Sequence, residues 1–141
     1  MRDRTVALLI EDNPADSQLL IELVEVVMQS GRLTSPIVWE IATSLKKGLS
    51  RLSAGGIDIV LLDLMLPDSQ GLGTFQKAFA LNHGTPFVII SGQDDENMAL
   101  EAVHQGAQDY LVKDDLTGIL LIRTMLYAIE RKGTEQALQE S

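Results

Sequence analysis

The hydrophobic residues of the chain fall into five short apolar runs, separated by longer segments with helical periodicity. Each run is rich in Val, Ile or Leu and is followed by charged, Ser or Gly residues. Short apolar runs bounded in this way are typical of buried strands. The pattern therefore predicts five strands, at residues 5–10, 36–42, 57–63, 86–91 and 109–112.

The segments between these runs predict five helices, at residues 13–30, 44–52, 73–81, 96–105 and from 117 towards the last residues. In the first helix, Asn13 is suited to the cap position and Pro14 to the first turn. Its apolar residues recur at helical spacing, at Leu19, Leu20, Leu23, Val26 and Val27. In the last helix we expect the core-facing residues to include Ile119, Ile122, Met125 and Ile129.

Strands that alternate with helices predict an α/β fold. Because several strands are apolar throughout, we expect a doubly wound, five-stranded parallel sheet with helices on both faces. Ligands of such sheets bind beyond the carboxyl ends of the strands. Those strand ends are therefore where functional residues are expected.

Composition narrows the class of protein. The 141 residues suit one domain, and the lack of cysteine excludes disulfides, thiolate catalysis and Cys-based zinc sites. The formal net charge of −9 repels phosphate backbones, so we expect no direct nucleic-acid partner. No apolar run approaches the roughly 18 residues of a membrane span, and the first residues are not a secretory signal. We therefore expect no membrane partner and a cytoplasmic location.

Polar residues stand where four of the predicted strands end: Glu11, Asp12, Asp63, Ser91 and Lys113. Taken singly, each is explained equally well as a helix cap, a turn residue or a surface residue. Taken together, three carboxylates meeting at one sheet edge would repel one another, and Mg²⁺ prefers such oxygen ligands. A lysine and a hydroxyl beside them would suit a phosphoryl group, and an aspartate there could form an acyl phosphate.

Four stretches of the sequence resemble the receiver domains of two-component response regulators. They are "LLIEDN", "IVLLDLMLPDSQG", "VIISG" and "GAQDYLVK", in that order. Each stretch alone is weakly specific, whereas the ordered set is highly specific, and the resemblance covers about residues 5 to 128. It implies a flavodoxin-like strand order, 2-1-3-4-5.

The resemblance also implies roles at the predicted site. Asp63 is similar to the family's phosphoacceptor, and Glu11 with Asp12 resembles its acidic pair. These three residues and the backbone carbonyl of Met65 are the expected Mg²⁺ ligands. We expect Asp63 to take a phosphoryl group from a phosphohistidine of a sensor histidine kinase or a histidine phosphotransfer protein. The domain would catalyse its own phosphorylation and dephosphorylation without being a conventional metabolic enzyme.

Three further residues match the family's switching machinery. Ser91 resembles the hydroxyl residue that binds the phosphoryl oxygen, Lys113 the lysine that contacts the phosphoryl group, and Tyr110 the aromatic switch residue. Asp63, Ser91 and Lys113 are thus the expected catalytic residues, and Ser91 with Tyr110 the expected switch. The resemblance implies that phosphorylation alters the face formed by helix four, strand five and helix five, where a homodimer could form.

One departure from the family pattern and several alternatives accompany this interpretation. The family commonly has Pro after the lysine, but Asp114 and Asp115 stand here, which leaves the geometry of that loop open. We expect a receiver domain at residues 1–130 and a helical extension, or a linker to a further domain, at residues 131–141. The main alternative is a pseudo-receiver that binds proteins without being phosphorylated. A flavin carrier, a haloacid-dehalogenase-type phosphatase and a P-loop NTPase each lack their expected motif.

Overall fold

The bounds of the helices and strands agree closely with the pattern of the sequence. The computed structural model describes residues 4–31, 36–82 and 84–140. Residues 1–3 of the predicted receiver domain, residue 141 of the predicted extension and the two internal gaps therefore lie outside the described residues. The strands are β1 (Thr5–Ile10), β2 (Ile37–Ala42), β3 (Ile59–Asp63), β4 (Met65–Leu66), β5 (Ser69–Gln70), β6 (Phe87–Ser91) and β7 (Asp109–Val112). The helices are α1 (Pro14–Gln29), α2 (Leu45–Ser53), α3 (Leu72–Leu81), α4 (Glu96–His104) and α5 (Gly118–Glu140).

Five of the strands form one parallel sheet in the order β2-β1-β3-β6-β7. Numbered among themselves, these strands have the order 2-1-3-4-5, so the predicted fold class and strand order are confirmed. Every residue of β3 and of β6 is buried, because helices cover both faces of the sheet. Within the described residues, no helix has the length and apolar character needed to cross a membrane.

The core consists of two hydrophobic layers, one on each side of the sheet. Along β3, Leu62 belongs to the layer beneath α2, α3 and α4, whereas Leu61 belongs to the layer beneath α1 and α5. This alternation follows from the period of two along a strand. In the first layer, the ring of Phe75 stacks on Phe79 at 5.0 Å and meets Phe87 edge-on at 5.8 Å.

The buried faces of α1 and α5 differ in part from the pattern expected from the sequence. The buried residues of α1 are Ser17, Leu20 and Val24, so that Leu19 and Val26 are 51% and 68% exposed. In α5, Ile122 and Met125 are buried as predicted and Ile129 packs against the same layer. Ile119 was predicted to face the core, and this is wrong, because it is 46% exposed.

The position of Gly118 explains the exposure of Ile119. A Cβ atom on Gly118 would lie 2.2 Å from the carbonyl oxygen of Leu23 and 2.7 Å from Val27 Cγ2. The first turn of α5 therefore presses its Gly118 side against α1. Because adjacent helical residues are about 100° apart, Ile119 is turned away from that contact.

The helix α5 continues without a break through Gly133 to Glu140. Side chains of this part of the helix contact the rest of the molecule. Gln136 Nε2 donates to the carbonyl oxygen of Gly84 at 2.8 Å, and Arg131 Nη2 donates to that of Gln108 at 3.3 Å. Lys132 Nζ lies 5.7 Å from the centre of the Phe79 ring. These contacts offset the low helix propensity of Gly133.

Candidate functional site

Three carboxylates converge beyond the carboxyl ends of β1 and β3. Glu11 follows β1 directly, Asp63 is the last residue of β3, and the two strands are adjacent in the sheet. With Asp12, each residue offers an oxygen atom, and these oxygens lie within 4.8 Å of one another. Glu11 and Asp63 are 2% and 6% exposed, whereas Asp12 is exposed to solvent. The structure thus brings the three predicted acids together.

Lys113 supplies the positive charge at this cluster. Its Nζ donates to Glu11 Oε1 at 2.5 Å, to Asp63 Oδ2 at 2.9 Å and to Asp16 Oδ2 at 3.1 Å. Asp16, in the first turn of α1, was not among the predicted site residues. Its contact with Lys113 joins residues that are 97 positions apart, so no local pattern of the sequence signals it. The cluster therefore holds four carboxylates.

Glu11 is the acid of this cluster whose pKa is clearly raised. Burial raises the pKa of Glu11 to about 7, from an ordinary value of 4.5. The hydrogen bond from Lys113 lowers this pKa and the neighbouring Asp63 carboxylate raises it. Burial lowers the pKa of Lys113, but its hydrogen bonds to Asp63 and Glu11 outweigh burial, so that its pKa is raised. Lys113 consequently stays charged at neutral pH.

The loop that follows β1 is held by caps at the start of α1. Asn13 accepts hydrogen bonds at its side-chain oxygen from the backbone N–H groups of Ala15, at 2.9 Å, and Asp16, at 3.4 Å. The predicted cap at Asn13 and the predicted Pro14 in the first turn are both confirmed. The N–H of Asn13 donates to Glu11 Oε2 at 3.3 Å. These bonds orient the Glu11 carboxylate towards the cluster.

The segment after Asp63 forms a small antiparallel hairpin of β4 and β5, which the sequence analysis did not predict. The N–H of Met65 donates to Asp63 Oδ1 at 2.9 Å, which fixes the orientation of that carboxylate. Gly71 ends the hairpin at a φ of 87°, a conformation that favours glycine, and its N–H donates to the carbonyl oxygen of Leu64 at 2.8 Å. Pro67 and Gly71 therefore belong to the hairpin that follows Asp63, and the first strand of this hairpin holds the Asp63 carboxylate through the N–H of Met65.

Ser91 lies on β6, the strand next to β3, and Tyr110 lies on β7, one strand further along the sheet. Ser91 ends β6, is 1% exposed, and directs its Oγ to the carbonyl oxygen of Leu111 at 3.5 Å. No hydrogen bond joins Ser91 to the acids in the parts of the chain that the structure covers. Tyr110 pairs with Ile89 across β6 and β7, so that Tyr110 and Ser91 lie on the same face of the sheet. Tyr110 is half-buried against the layer beneath α4.

The loop after Lys113 is a single 3₁₀ turn, Lys113–Asp115, in which Asp114 and Asp115 are exposed. The peptide bonds of the described residues are all trans, including the one before Asp114. Neither of these two acids forms a described ion pair with Lys113, whose contacts go to Glu11, Asp16 and Asp63. The two extra acids therefore leave the lysine's contacts with the cluster in place.

The chemistry of the donor set decides what this cluster can hold. Carboxylate oxygens are hard ligands that suit a divalent cation of the magnesium class. A cation there would offset the repulsion among carboxylates that Lys113 alone has to balance. The residues present thus fit a metal next to a nucleophilic carboxylate and a fixed ammonium, an arrangement suited to a phosphoryl group.

Comparison with known proteins identifies relatives that match half or more of this chain. The family model described as "Response regulator receiver domain" matches residues 7–122. The response regulator ArlR of Staphylococcus saprophyticus is 33% identical over 113 residues, which cover 79% of this chain and 49% of ArlR. The C4-dicarboxylate transport transcriptional regulatory protein DctD of Rhizobium meliloti is 36% identical over 70 residues, covering 50% of this chain and 15% of DctD. The chain thus spans about half or less of the length of these relatives.

Solved structures share the fold at low sequence identity. A CheY-like receiver domain protein from Methanospirillum hungatei superposes with a TM-score of 0.72 at 21% identity, covering 94% of this chain and 98% of that one. NtrX from Brucella abortus gives a TM-score of 0.79 at 20% identity, with 97% of this chain and 29% of NtrX covered. The family match extends across both core layers and all the strand ends described above. The chain therefore belongs to the family of response regulator receiver domains of two-component systems.

Proposed function

We propose that Asp63 is the phosphoacceptor of this receiver domain. The observation that carries the proposal is the position of Asp63. It ends a central strand, its Oδ2 is 2.9 Å from Lys113 Nζ, and its Oδ1 accepts the N–H of Met65. A carboxylate held at both oxygens has a fixed orientation, which favours its reaction as a positioned nucleophile. Because the domain retains these acids, the lysine and the hydroxyl, a pseudo-receiver is not favoured.

The transfer proceeds from a phosphohistidine of a histidine kinase or histidine phosphotransfer protein. An oxygen of Asp63 attacks the phosphorus atom, the P–N bond breaks, and its electron pair remains on the imidazole, which takes up a proton. The product is an acyl phosphate, which water later hydrolyses. Lys113 stays within reach of the negative charge that spreads over the phosphoryl oxygens. We also propose that the domain is cytoplasmic, where it would meet the phosphohistidine of such a kinase or phosphotransfer protein.

Glu11, Asp12 and Asp63, with the backbone carbonyl of Met65, would hold a Mg²⁺ ion. When bound, this ion supplies charge neutralisation between the carboxylates and the incoming phosphoryl group. The grouping of the three carboxylate oxygens supports the assignment. A metal binds the deprotonated form of Glu11, and the burial that raises the pKa of this residue opposes that form.

Signalling from Asp63 would pass through Ser91 and Tyr110. Once the phosphoryl group is present, the hydroxyl of Ser91 exchanges its long bond to the Leu111 carbonyl for a bond to a phosphoryl oxygen. Tyr110, on the same sheet face, then moves into the space behind Ser91 and changes the surface of α4, β7 and α5. That surface exposes Leu100 and Leu120, which supports the proposal that a homodimer forms there.

If this chain is part of a longer protein, as the length of its relatives allows, the partners of that protein have to be proposed separately. ArlR and DctD are named as a response regulator and a transcriptional regulatory protein, so the expected absence of a nucleic-acid partner is not supported for a protein of their length. The domain described here has a net charge of −9, which disfavours direct contact with nucleic acid. We also propose that residues 131–141 extend beyond the receiver unit, since the family match ends at residue 122 and α5 continues to Glu140.

Labelling by a small phosphodonor tests the assignment of Asp63. Incubation with Mg²⁺ and acetyl phosphate should add one phosphoryl group, which mass spectrometry locates on Asp63. Asp63→Asn and the omission of Mg²⁺ should each abolish the label, whereas Asp58→Asn, five residues earlier, should keep it. A label that persists in Asp63→Asn would place the acceptor at another residue.

A further inference from the structure

A groove of about 440 Å³ runs between α1 and the end of β2, on the flank of α1 next to the sheet edge. Its apolar wall includes Ile21 on α1 and Ile41 on β2. Ile41 is 49% exposed although it stands in a strand. The groove therefore leaves apolar surface uncovered beside a sheet edge that has no neighbouring strand among the described residues.

The charged residues that line the groove are all acidic, and its other polar residues are the neutral Ser17, Gln18 and Thr43. Glu22 and Glu25 line it from α1, and Asp12 lines the end nearest the carboxylate cluster. Helix α1 contains no Lys or Arg. Glu22 accepts a hydrogen bond from Gln18 Nε2 at 3.0 Å. Thr43, which also lines the groove, accepts a hydrogen bond at its Oγ1 from Lys47 Nζ at 3.3 Å. The groove consequently presents negative charge over an apolar wall.

Ser17 supplies a second, independent observation in the same groove. Its side chain lines the cavity, the residue is 3% exposed, and its Oγ has no hydrogen-bond partner in the part of the chain that the structure describes. A buried hydroxyl without a partner costs free energy, and such groups call for an explanation. The oxygen has almost no accessible surface as it lies, so a donor that enters the groove satisfies it once the Ser17 side chain rotates about χ1.

We infer that the groove between α1 and β2 receives an arginine side chain from a partner protein. The aliphatic part of the arginine packs on Ile21 and Ile41, as the stems of long basic side chains do on apolar surfaces. Its planar guanidinium has five N–H donors, enough to bond the carboxylates of Glu22 and Glu25 and the oxygen of Ser17 together. This assignment concerns the β2 flank of α1 and does not depend on phosphorylation of Asp63.

The shape of the groove favours a side chain of a protein over a free small molecule. Small-molecule pockets enclose most of their ligand, roughly 70–90% of its surface. The present groove is bounded by one helix and one edge strand and opens to solvent along its length. A side chain that projects from a partner surface needs enclosure only at its tip and stem. Arginine is also enriched at protein interfaces.

Binding of a short peptide to the ¹⁵N-labelled chain tests the inference. The probe is acetyl-Leu-Arg-Leu-amide and the matched control is acetyl-Leu-Gln-Leu-amide, both in buffer at physiological salt, where long-range attraction is screened. We expect saturable amide shifts within residues 11–13, 15–25 and 41–43 with the arginine peptide only. Equal shifts with the glutamine peptide, or arginine-dependent shifts elsewhere, would overturn the inference.

Three variants separate this site from general attraction to an acidic protein. The double variant Glu22→Gln/Glu25→Gln should weaken binding about three- to tenfold. The double variant Glu101→Gln/Glu130→Gln removes the same charge from α4 and α5 and should leave the affinity unchanged. Ser17→Ala should weaken binding about twofold while it raises thermal stability, because the unpartnered hydroxyl is gone. Equal weakening by both double variants, or unchanged binding in Ser17→Ala, would contradict the inference.

Discussion

Lys113 Nζ donates to Asp63 Oδ2 at 2.9 Å, which joins the ends of two strands that are not adjacent in the sheet. The same ammonium contacts Glu11 and Asp16, so that one cation serves three carboxylates. Two of these acids are buried, and buried charges of one sign are costly without a partner. Lys113 therefore stabilises the domain as well as preparing it for a phosphoryl group.

Replacement of this lysine gives the first prediction. In EDTA, Lys113→Met should lower the free energy of unfolding by about 1–3 kcal/mol, less than for a fully buried pair because solvent reaches the lysine. Urea denaturation measures this change. Mg²⁺ should restore part of the loss, since a divalent cation relieves the same repulsion. The control Lys46→Met, at an exposed position, should change stability by less than about 0.5 kcal/mol. Equal losses in the two variants would contradict this role of Lys113.

Two glycines of α5 should respond in opposite directions to alanine. At Gly118 a Cβ would lie 2.2 Å from the backbone oxygen of Leu23, so α1 and α5 would have to separate. We expect Gly118→Ala to cost about 1–3 kcal/mol. At Gly133 a Cβ would meet nothing within 4 Å, so Gly133→Ala should add about 0.5–1 kcal/mol through helix propensity. Thermal unfolding of the two variants checks both signs, and a stabilised Gly118→Ala would show that this helix contact is loose.

The acid side of the stability profile should depend on Asp68. Its carboxylate accepts the N–H groups of Lys46 and Leu45 at the start of α2, and these bonds lower the pKa of Asp68 from its ordinary 3.8. The folded chain thus binds the proton more weakly than the unfolded chain. The contribution of Asp68 is complete above pH 3.8 and is lost as the pH falls through the lowered folded-state value.

This dependence is measurable by urea denaturation between about pH 3 and pH 6. Asp68→Asn should be less stable than the unmodified chain at pH 6, and the difference should shrink as the pH falls below 3.8. Asp94→Asn, at another exposed aspartate, should show no such convergence. A constant difference across the pH range for Asp68→Asn would mean that its effect does not come from ionisation.

Met65 should set the lifetime of the acyl phosphate. Its N–H binds Asp63 Oδ1, and its 42% exposed side chain cannot hydrogen-bond an attacking water. Met65→Asn adds such a group and should speed hydrolysis about two- to tenfold, the value of one hydrogen bond. Loss of the ³²P label after removal of the phosphodonor measures the rate. Met65→Leu should leave the rate unchanged, and an unaltered rate in Met65→Asn would remove this role.

Local patterns of the sequence were enough to predict the main strands, the class of sheet and five site residues. The apolar runs of the strands, and the polar residues that end them, can each be recognised from a few consecutive residues. Parallel strands bring their carboxyl ends to one edge, so Glu11, Asp12, Asp63, Ser91 and Lys113 were predicted to meet. The three acids and Lys113 lie together, whereas Ser91 directs its Oγ to the carbonyl oxygen of Leu111. The roles of Ser91 and Tyr110 came from the family resemblance, and they remain predictions.

Other features depended on contacts between distant segments. Asp16 joins Lys113 across 97 positions, and Asp68 caps α2 across 22 and 23 positions. Ile119 faces solvent because Gly118 meets α1. The periodicity of the sequence predicts none of these contacts, because each depends on how two packed elements approach one another. The sequence by itself determined which residues lie at the strand ends, whereas only the tertiary structure decided which charges pair there and which helix faces stay exposed.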